Sequence, residues 1–148
     1  MGKNALAPYH VLIVDDDPAD AELVSKAIGR GRFDCVVDRA RDGVEALEKL
    51  RVSPAPNQRS NSPDLILLDI NMPRKNGLQV LCEIRSDPNL RHLPVVMLST
   101  SSAEKDVACA YNSGAQGYVT KPMDVTELFS AIHAIEEYWF NTVRAPRN

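Results

Sequence analysis

No run of apolar residues in the 148-residue chain approaches the ~20 needed to cross a bilayer; the longest, such as Val11-Leu12-Ile13-Val14 and Leu65-Ile66-Leu67-Leu68, are strand-sized. The first eight residues lack the apolar core of a secretory leader. Lys and Arg are scattered, with a formal net charge of −3, so the basic stripe that duplex DNA or an anionic membrane demands is missing. Direct nucleic-acid binding and membrane association are not expected. Cysteine is scarce: Cys35, Cys82 and Cys109 are odd in number and too far apart for a CxxC metal or redox motif, and are expected to be small buried hydrophobes. His10, His92 and His133 are equally dispersed and carry no assigned chemistry. Neither an internal repeat nor a composition break divides the chain, so one cytoplasmic domain is expected. Hydrophobic residues make up 44% of it, enough for a substantial core.

What is present has a rhythm. Short apolar runs alternate with segments of helical period, the pattern of repeated βαβ units around a parallel sheet with helices on both faces. Strands are expected at 10–15, 35–40, 64–69, 94–99 and 117–120. Three of them are continuously apolar, as strands covered on both faces should be. Asp17 before Pro18 signals a helix start, with Leu23, Val24, Ala27 and Ile28 forming its apolar stripe. Asp42 with Glu45, Ser101 with Glu104, and Asp124 with Glu127 have capping-box spacing and should open three more helices. A further helix is expected at about 77–87, facing Leu78, Leu81 and Ile84 inward. The last places Val125, Leu128, Phe129, Ile132, Ile135 and Trp139 on one side. Residues 51–63, with three prolines and three serines, read as a long surface loop.

In open α/β sheets ligands bind beyond the carboxyl ends of the strands. Those ends here carry Asp15-Asp16-Asp17, then Asp69 followed by Ile70-Asn71-Met72-Pro73, then Ser99-Thr100, and finally Lys121-Pro122. Carboxylates brought within a few ångströms repel one another unless a cation compensates, and a hard divalent ion such as Mg²⁺ is suited to oxygen ligands. Asp16, Asp69 and a nearby backbone carbonyl supply such a set. Lys121 presents a point charge for a phosphate oxygen, and the hydroxyls of Ser99 and Thr100 can donate to others. Asp69, ending a central strand, is then the candidate nucleophile for an aspartyl phosphate.

With Leu12-Ile13-Val14-Asp15-Asp16, Leu67-Leu68-Asp69-Ile70-Asn71-Met72-Pro73, Ser99 and Gly117-Tyr118-Val119-Thr120-Lys121-Pro122, the chain resembles the receiver domains of two-component response regulators. The resemblance implies a flavodoxin-like, five-stranded parallel sheet of order 2-1-3-4-5, a receiver domain over 8–141 and a tail at 142–148. It implies that Asp69 accepts a phosphoryl group from a sensor histidine kinase and that Asp16, Asp69 and the Asn71 carbonyl hold Mg²⁺ or Mn²⁺, assisted by Asp15. Lys121 would contact the phosphoryl group, Ser99 and Tyr118 would act as switch residues, and the Lys121–Pro122 bond would be cis.

The 51–63 loop, the Leu98-Ser99-Thr100-Ser101-Ser102 run and the ending Ile135-Glu136-Glu137-Tyr138-Trp139-Phe140 are similar to the subgroup partnered with bacterial and cyanobacterial phytochromes. With no output domain expected, signalling would proceed through a downstream protein target or a phosphotransfer protein. Tyr138, Trp139 and Phe140 cannot all face one stripe, because helical neighbours lie about 100° apart. One should emerge, packed by the tail or by a second copy in a homodimer built through the last helix. Two other functions compete. Haloacid-dehalogenase-like phosphohydrolases share the strand-end Asp, Ser/Thr, Lys and Mg²⁺, but need an acid where Asn71 stands. The other is a receiver fold used as a binding module without phosphorylation.

Overall fold

The computed structural model describes residues 8–52 and 62–142, so most of the loop expected at 51–63 lies outside the described residues. Five parallel strands are present: β1 (Tyr9–Val14), β2 (Cys35–Ala40), β3 (Leu65–Leu68), β4 (Val95–Ser99) and β5 (Gly117–Thr120), in the order β2-β1-β3-β4-β5. They alternate with α1 (Pro18–Gly29), α2 (Gly43–Leu50), α3 (Gly77–Ser86), α4 (Glu104–Asn112) and α5 (Val125–Glu137). A π-helical turn, Tyr138–Thr142, follows α5. The fold is the flavodoxin-like one expected.

Each central strand feeds two cores. Because side chains alternate across a strand, Leu12, Val14, Ile66, Leu68 and Met97 point to one face and pack with α2 and α3, while Val11, Ile13, Leu65, Leu67, Val96 and Leu98 point to the other and pack with α1 and α5. The registers Val11↔Leu65 and Leu68↔Met97 stack these sets in line. A one-residue slip would exchange the two faces, and because the helices differ, register is tightly specified.

The caps follow the sequence in part. Asp17 accepts from the N–H groups of Ala19 and Asp20, Asp42 from Glu45 and Asp124 from Thr126, as acceptors at exposed helix starts should. Ser101 does not cap α4. Its Oγ donates to Asp106 at 2.6 Å and accepts from Ala103 N–H at 3.3 Å, a local turn that delays the helix to Glu104, with Ala103 at the cap position. The α3 start carries the complete capping box instead, formed by Asn76 and Gln79.

Three further expectations are corrected. Cys82 and Cys109 are exposed, not buried, because each lies one residue, about 100°, away from the inward positions Leu81 and Ala110; Cys35 is half-buried. Val125 is exposed, since at the first turn of α5 the inward stripe begins only at Leu128. On α3 Leu81 and Ile84 are buried as expected, joined by Val80, and Leu78 is half-buried against the same core. No cis peptide bond occurs among the described residues, so Lys121–Pro122 is trans, the isomer intrinsically favoured by about 0.5–1 kcal/mol. At the end of α5, Tyr138 is the aromatic residue that emerges, 52% exposed, while Trp139 and Phe140 pack against the α1/α5 core. No helix among the described residues is long and apolar enough to cross a membrane.

Candidate functional site

Parallel strands end on the same edge, so the residues that follow β1, β3 and β5 converge there. Lys121 is the hub. Its side chain is only 6% exposed, and its ammonium donates to Asp15 Oδ2 at 2.6 Å and Asp20 Oδ2 at 3.2 Å, with Asp69 Oδ2 at 3.6 Å. Asp15 is buried, and its other carboxylate oxygen accepts from Asp17 N–H at 2.9 Å. Burial pushes the Asp15 carboxyl above its ordinary range, with the Lys121 hydrogen bond pulling the other way. Burial would lower the Lys121 ammonium, but the hydrogen bond and charge of Asp15, with Asp69 and Asp20, outweigh it and hold Lys121 above its ordinary value. The cluster keeps its lysine charged and carries excess negative charge.

Asp69 is half-buried, and Ile70 N–H donates to its Oδ1 at 2.8 Å. Behind it the chain is closely packed: Gly77 N–H donates to Ile70 O at 2.8 Å, and a Cβ on Gly77 would come within 2.0 Å of the Asp69 carbonyl oxygen. Any side chain there would displace the strand end. Asp16 and Asn71 are exposed on the rim. One carboxylate oxygen from each of Asp15, Asp16 and Asp69 lies within 4.8 Å of the others. That spread is little more than the ~4.2 Å across an octahedral Mg²⁺ shell with ligands at about 2.1 Å. The hard, all-oxygen donor set fits such an ion.

The hydroxyl side of the site lies after β4. Ser99 is fully buried, its Oγ accepts from Ser101 N–H at 3.3 Å, and Lys121 N–H donates to its carbonyl at 2.7 Å. Thr100 is exposed at the start of the following loop. Tyr118 is half-buried against the α2/α3 core and donates its hydroxyl to Ser101 O at 2.7 Å, which ties β5 to the β4–α4 loop.

The structure thus brings together Asp15, Asp16, Asp69 and Lys121, with Ser99 tied to Lys121 through its carbonyl, Tyr118 tied to the β4–α4 loop, and Asn71 and Thr100 on the loops that follow β3 and β4. Two contributors escaped the sequence reading. Asp20, one turn into α1 from Asp17, is a second acceptor for Lys121; its i, i+3 spacing from the cap was the available signal. Arg39 on β2 donates from Nε and Nη2 to Asp15 O at 3.3 and 3.0 Å, a contact that only strand pairing creates.

A doubly wound five-stranded sheet with this acidic cluster and buried lysine is the architecture of a phospho-acceptor module, and the chain belongs to the response regulator receiver domain family, whose signature it matches over residues 11–133. By its family it is a signalling acceptor module rather than a catalytic enzyme, and its three-carboxylate cluster is suited to a hard divalent cation. Among its relatives is the response regulator Rcp1 of Synechocystis sp., 36% identical over 146 residues, an alignment that covers 99% of both chains. The crystal structure of the phosphorylated cyanobacterial phytochrome response regulator RcpA superposes with a TM-score of 0.86 at 40% identity, over 95% of this chain and 100% of that one. The Mn²⁺-bound form of Rcp1 gives 0.83 at 36% identity, over 95% and 100%.

Proposed function

We propose that Asp69 accepts a phosphoryl group from a phosphohistidine of a sensor histidine kinase of the phytochrome type, and that residues 8–141 form the receiver domain, with 142–148 a tail. The observation that carries this reading is the convergence of three carboxylates and one buried ammonium at a single sheet edge. A carboxylate oxygen of Asp69 attacks phosphorus, a P–O bond forms, the P–N bond to the donor imidazole breaks, and that nitrogen is left with the bonding pair. Asp15, Asp16 and Asp69, with the Asn71 carbonyl, would hold the divalent cation. When bound, the ion offsets charge on the phosphoryl oxygens. Lys121, already within 3.6 Å of Asp69, transfers its hydrogen bond from Asp15 to a phosphoryl oxygen.

Ser99, the last residue of β4, and Thr100, which follows it, stand to donate to a second oxygen. Movement there is felt by Tyr118, whose hydroxyl sits on Ser101 O, and so alters the α4–β5 surface presented to a downstream protein target or phosphotransfer protein. The half-exposed Tyr138 supports a homodimer through the last helix. Light scattering at micromolar concentration, with and without a phosphate mimic, tests the dimer; a monomer under both conditions removes it.

The acceptor is tested by incubating the protein with Mg²⁺ and acetyl phosphate and reading its intact mass. Gain of one acid-labile phosphoryl group by the wild type and none by Asp69→Asn is expected. Labile phosphate on Asp69→Asn would refute the assignment. Phosphotransfer from a phytochrome-type kinase, compared with an unrelated histidine kinase, tests the partner.

A further inference from the structure

Among the described residues, Arg74 is the non-glycine residue with positive φ, at 67°. L-residues with a bulky side chain adopt this left-handed region at a cost, which the surroundings must offset. Arg74 sits in the middle of the 70–76 loop, between Asp69 and α3. Its Nε and Nη2 donate to Asp42 Oδ2 at 3.1 and 2.7 Å. Asp42 is itself fixed, because its Oδ1 accepts from Glu45 N–H at 2.9 Å as the cap of α2. The Glu45 amide and then Arg74 hold the Asp42 carboxyl below its ordinary range, so the pair stays charged.

The start of α2 also lies directly against the loop: a Cβ on Gly43 would fall 2.4 Å from Lys75 O. The loop is pinned at its ends by Asp69 and by the Gly77-to-Ile70 hydrogen bond. Its middle is held from outside by α2.

We propose that Asp42 and Arg74 are positioning residues for the cation site: their ion pair holds the 70–76 loop in a left-handed turn at Arg74 and thereby fixes the course of the backbone through Asn71. This rests on the reading of the Asn71 carbonyl as a metal ligand. Neither side chain is among the ligands proposed for the ion. The guanidinium's charge alone disfavours a nearby cation, so the positioning effect and the electrostatic effect of Arg74 have opposite signs.

The difference can be read by titrating Mg²⁺ calorimetrically into the full chain and its variants. Arg74→Ala removes the tether while keeping a residue that disfavours positive φ, and should weaken Mg²⁺ binding about fivefold. Arg74→Gly also removes the tether but adopts the left-handed turn without strain, and should bind within about twofold of wild type. Asp42→Asn keeps a good helix cap and should resemble Arg74→Ala. Circular dichroism of each variant, checked for unchanged secondary structure, keeps a folding defect from being read as weak binding.

Arg74→Ala binding as tightly as wild type or tighter, the outcome of charge removal alone, would overturn the proposal. Equal weakening in the Ala and Gly variants would overturn it too. Failure of the wild type to bind Mg²⁺ at all is a different result, which removes the cation reading itself and this inference with it.

Discussion

At the carboxyl end of the sheet Lys121 is buried among Asp15, Asp20 and Asp69, whereas at the amino end Tyr9 stacks on Phe140 at 4.0 Å between centroids, both rings meet Phe33 edge-on, and the Arg32–Glu137 pair lies at the surface. The aromatic end is built for cohesion. Offset and edge-on rings bury apolar area, and the Tyr9 hydroxyl satisfies the Phe140 carbonyl at 3.2 Å. The acidic end gathers like charges around one ammonium, an arrangement that costs stability and is useful when a cation and a phosphoryl group are to arrive. The same sheet therefore carries a site that opposes folding and a clasp that supports it.

Removing the ammonium should have the largest effect. Lys121→Met leaves Asp15 and Asp69 without their cation, and should cost about 3 kcal/mol in urea unfolding without metal, partly recovered on adding Mg²⁺. Phosphoryl-dependent switching should be lost with it. An unchanged urea midpoint would show that the acidic end is not under electrostatic load. Next is the clasp: Phe140→Ala should lower stability by about 2 kcal/mol, yet leave the rate of Asp69 phosphorylation from acetyl phosphate unchanged. Slower phosphorylation would mean that the two ends are coupled.

Glu136 sharpens the contrast, because it is a carboxylate at the cohesive end. It is 2% exposed and accepts a hydrogen bond from the Cys35 thiol at 3.6 Å. Burial holds its carboxyl above the ordinary 4.5, so the folded protein binds this proton more tightly than the unfolded chain. The stability gained is complete below the unfolded value and is lost as pH rises through the folded one. Glu136→Gln should abolish that loss, making the variant gain on wild type between acid and neutral pH in urea unfolding; parallel pH profiles would contradict it. The smallest effect concerns thiols. Burial, reinforced by Glu136, pushes Cys35 up to about 12, whereas Cys82 and Cys109 are exposed, so two thiols should react with a disulfide reagent at neutral pH and the third only after unfolding.

Much of this could be read from local pattern. The continuous apolar runs marked β1, β3 and β4, and Asp17, Asp42 and Asp124 cap helices at the expected places. Local reading failed where a short-range alternative competed: Ser101 folds into its own turn with Asp106, and Asn76, not singled out as a cap, forms the reciprocal box with Gln79. It also failed for Cys82 and Cys109, where residue type suggested burial but helical phase turned the side chains outward.

Where the strands end, and which groups stand there (Asp15, Asp16, Asp69, Ser99 and Lys121), was legible in the sequence alone, because short-range periodicity sets the strand ends and parallel strands end on one edge; the strand order was implied only by the resemblance to receiver domains. Only the tertiary structure decided that Lys121 rests on Asp15 and Asp20, that Arg39 braces the Asp15 carbonyl, that Arg74 reaches Asp42, and that Phe140 returns to Tyr9. These partners are separated by up to 131 residues, and which of several acids a lysine meets depends on sheet register, helix phase and packing that no local window contains.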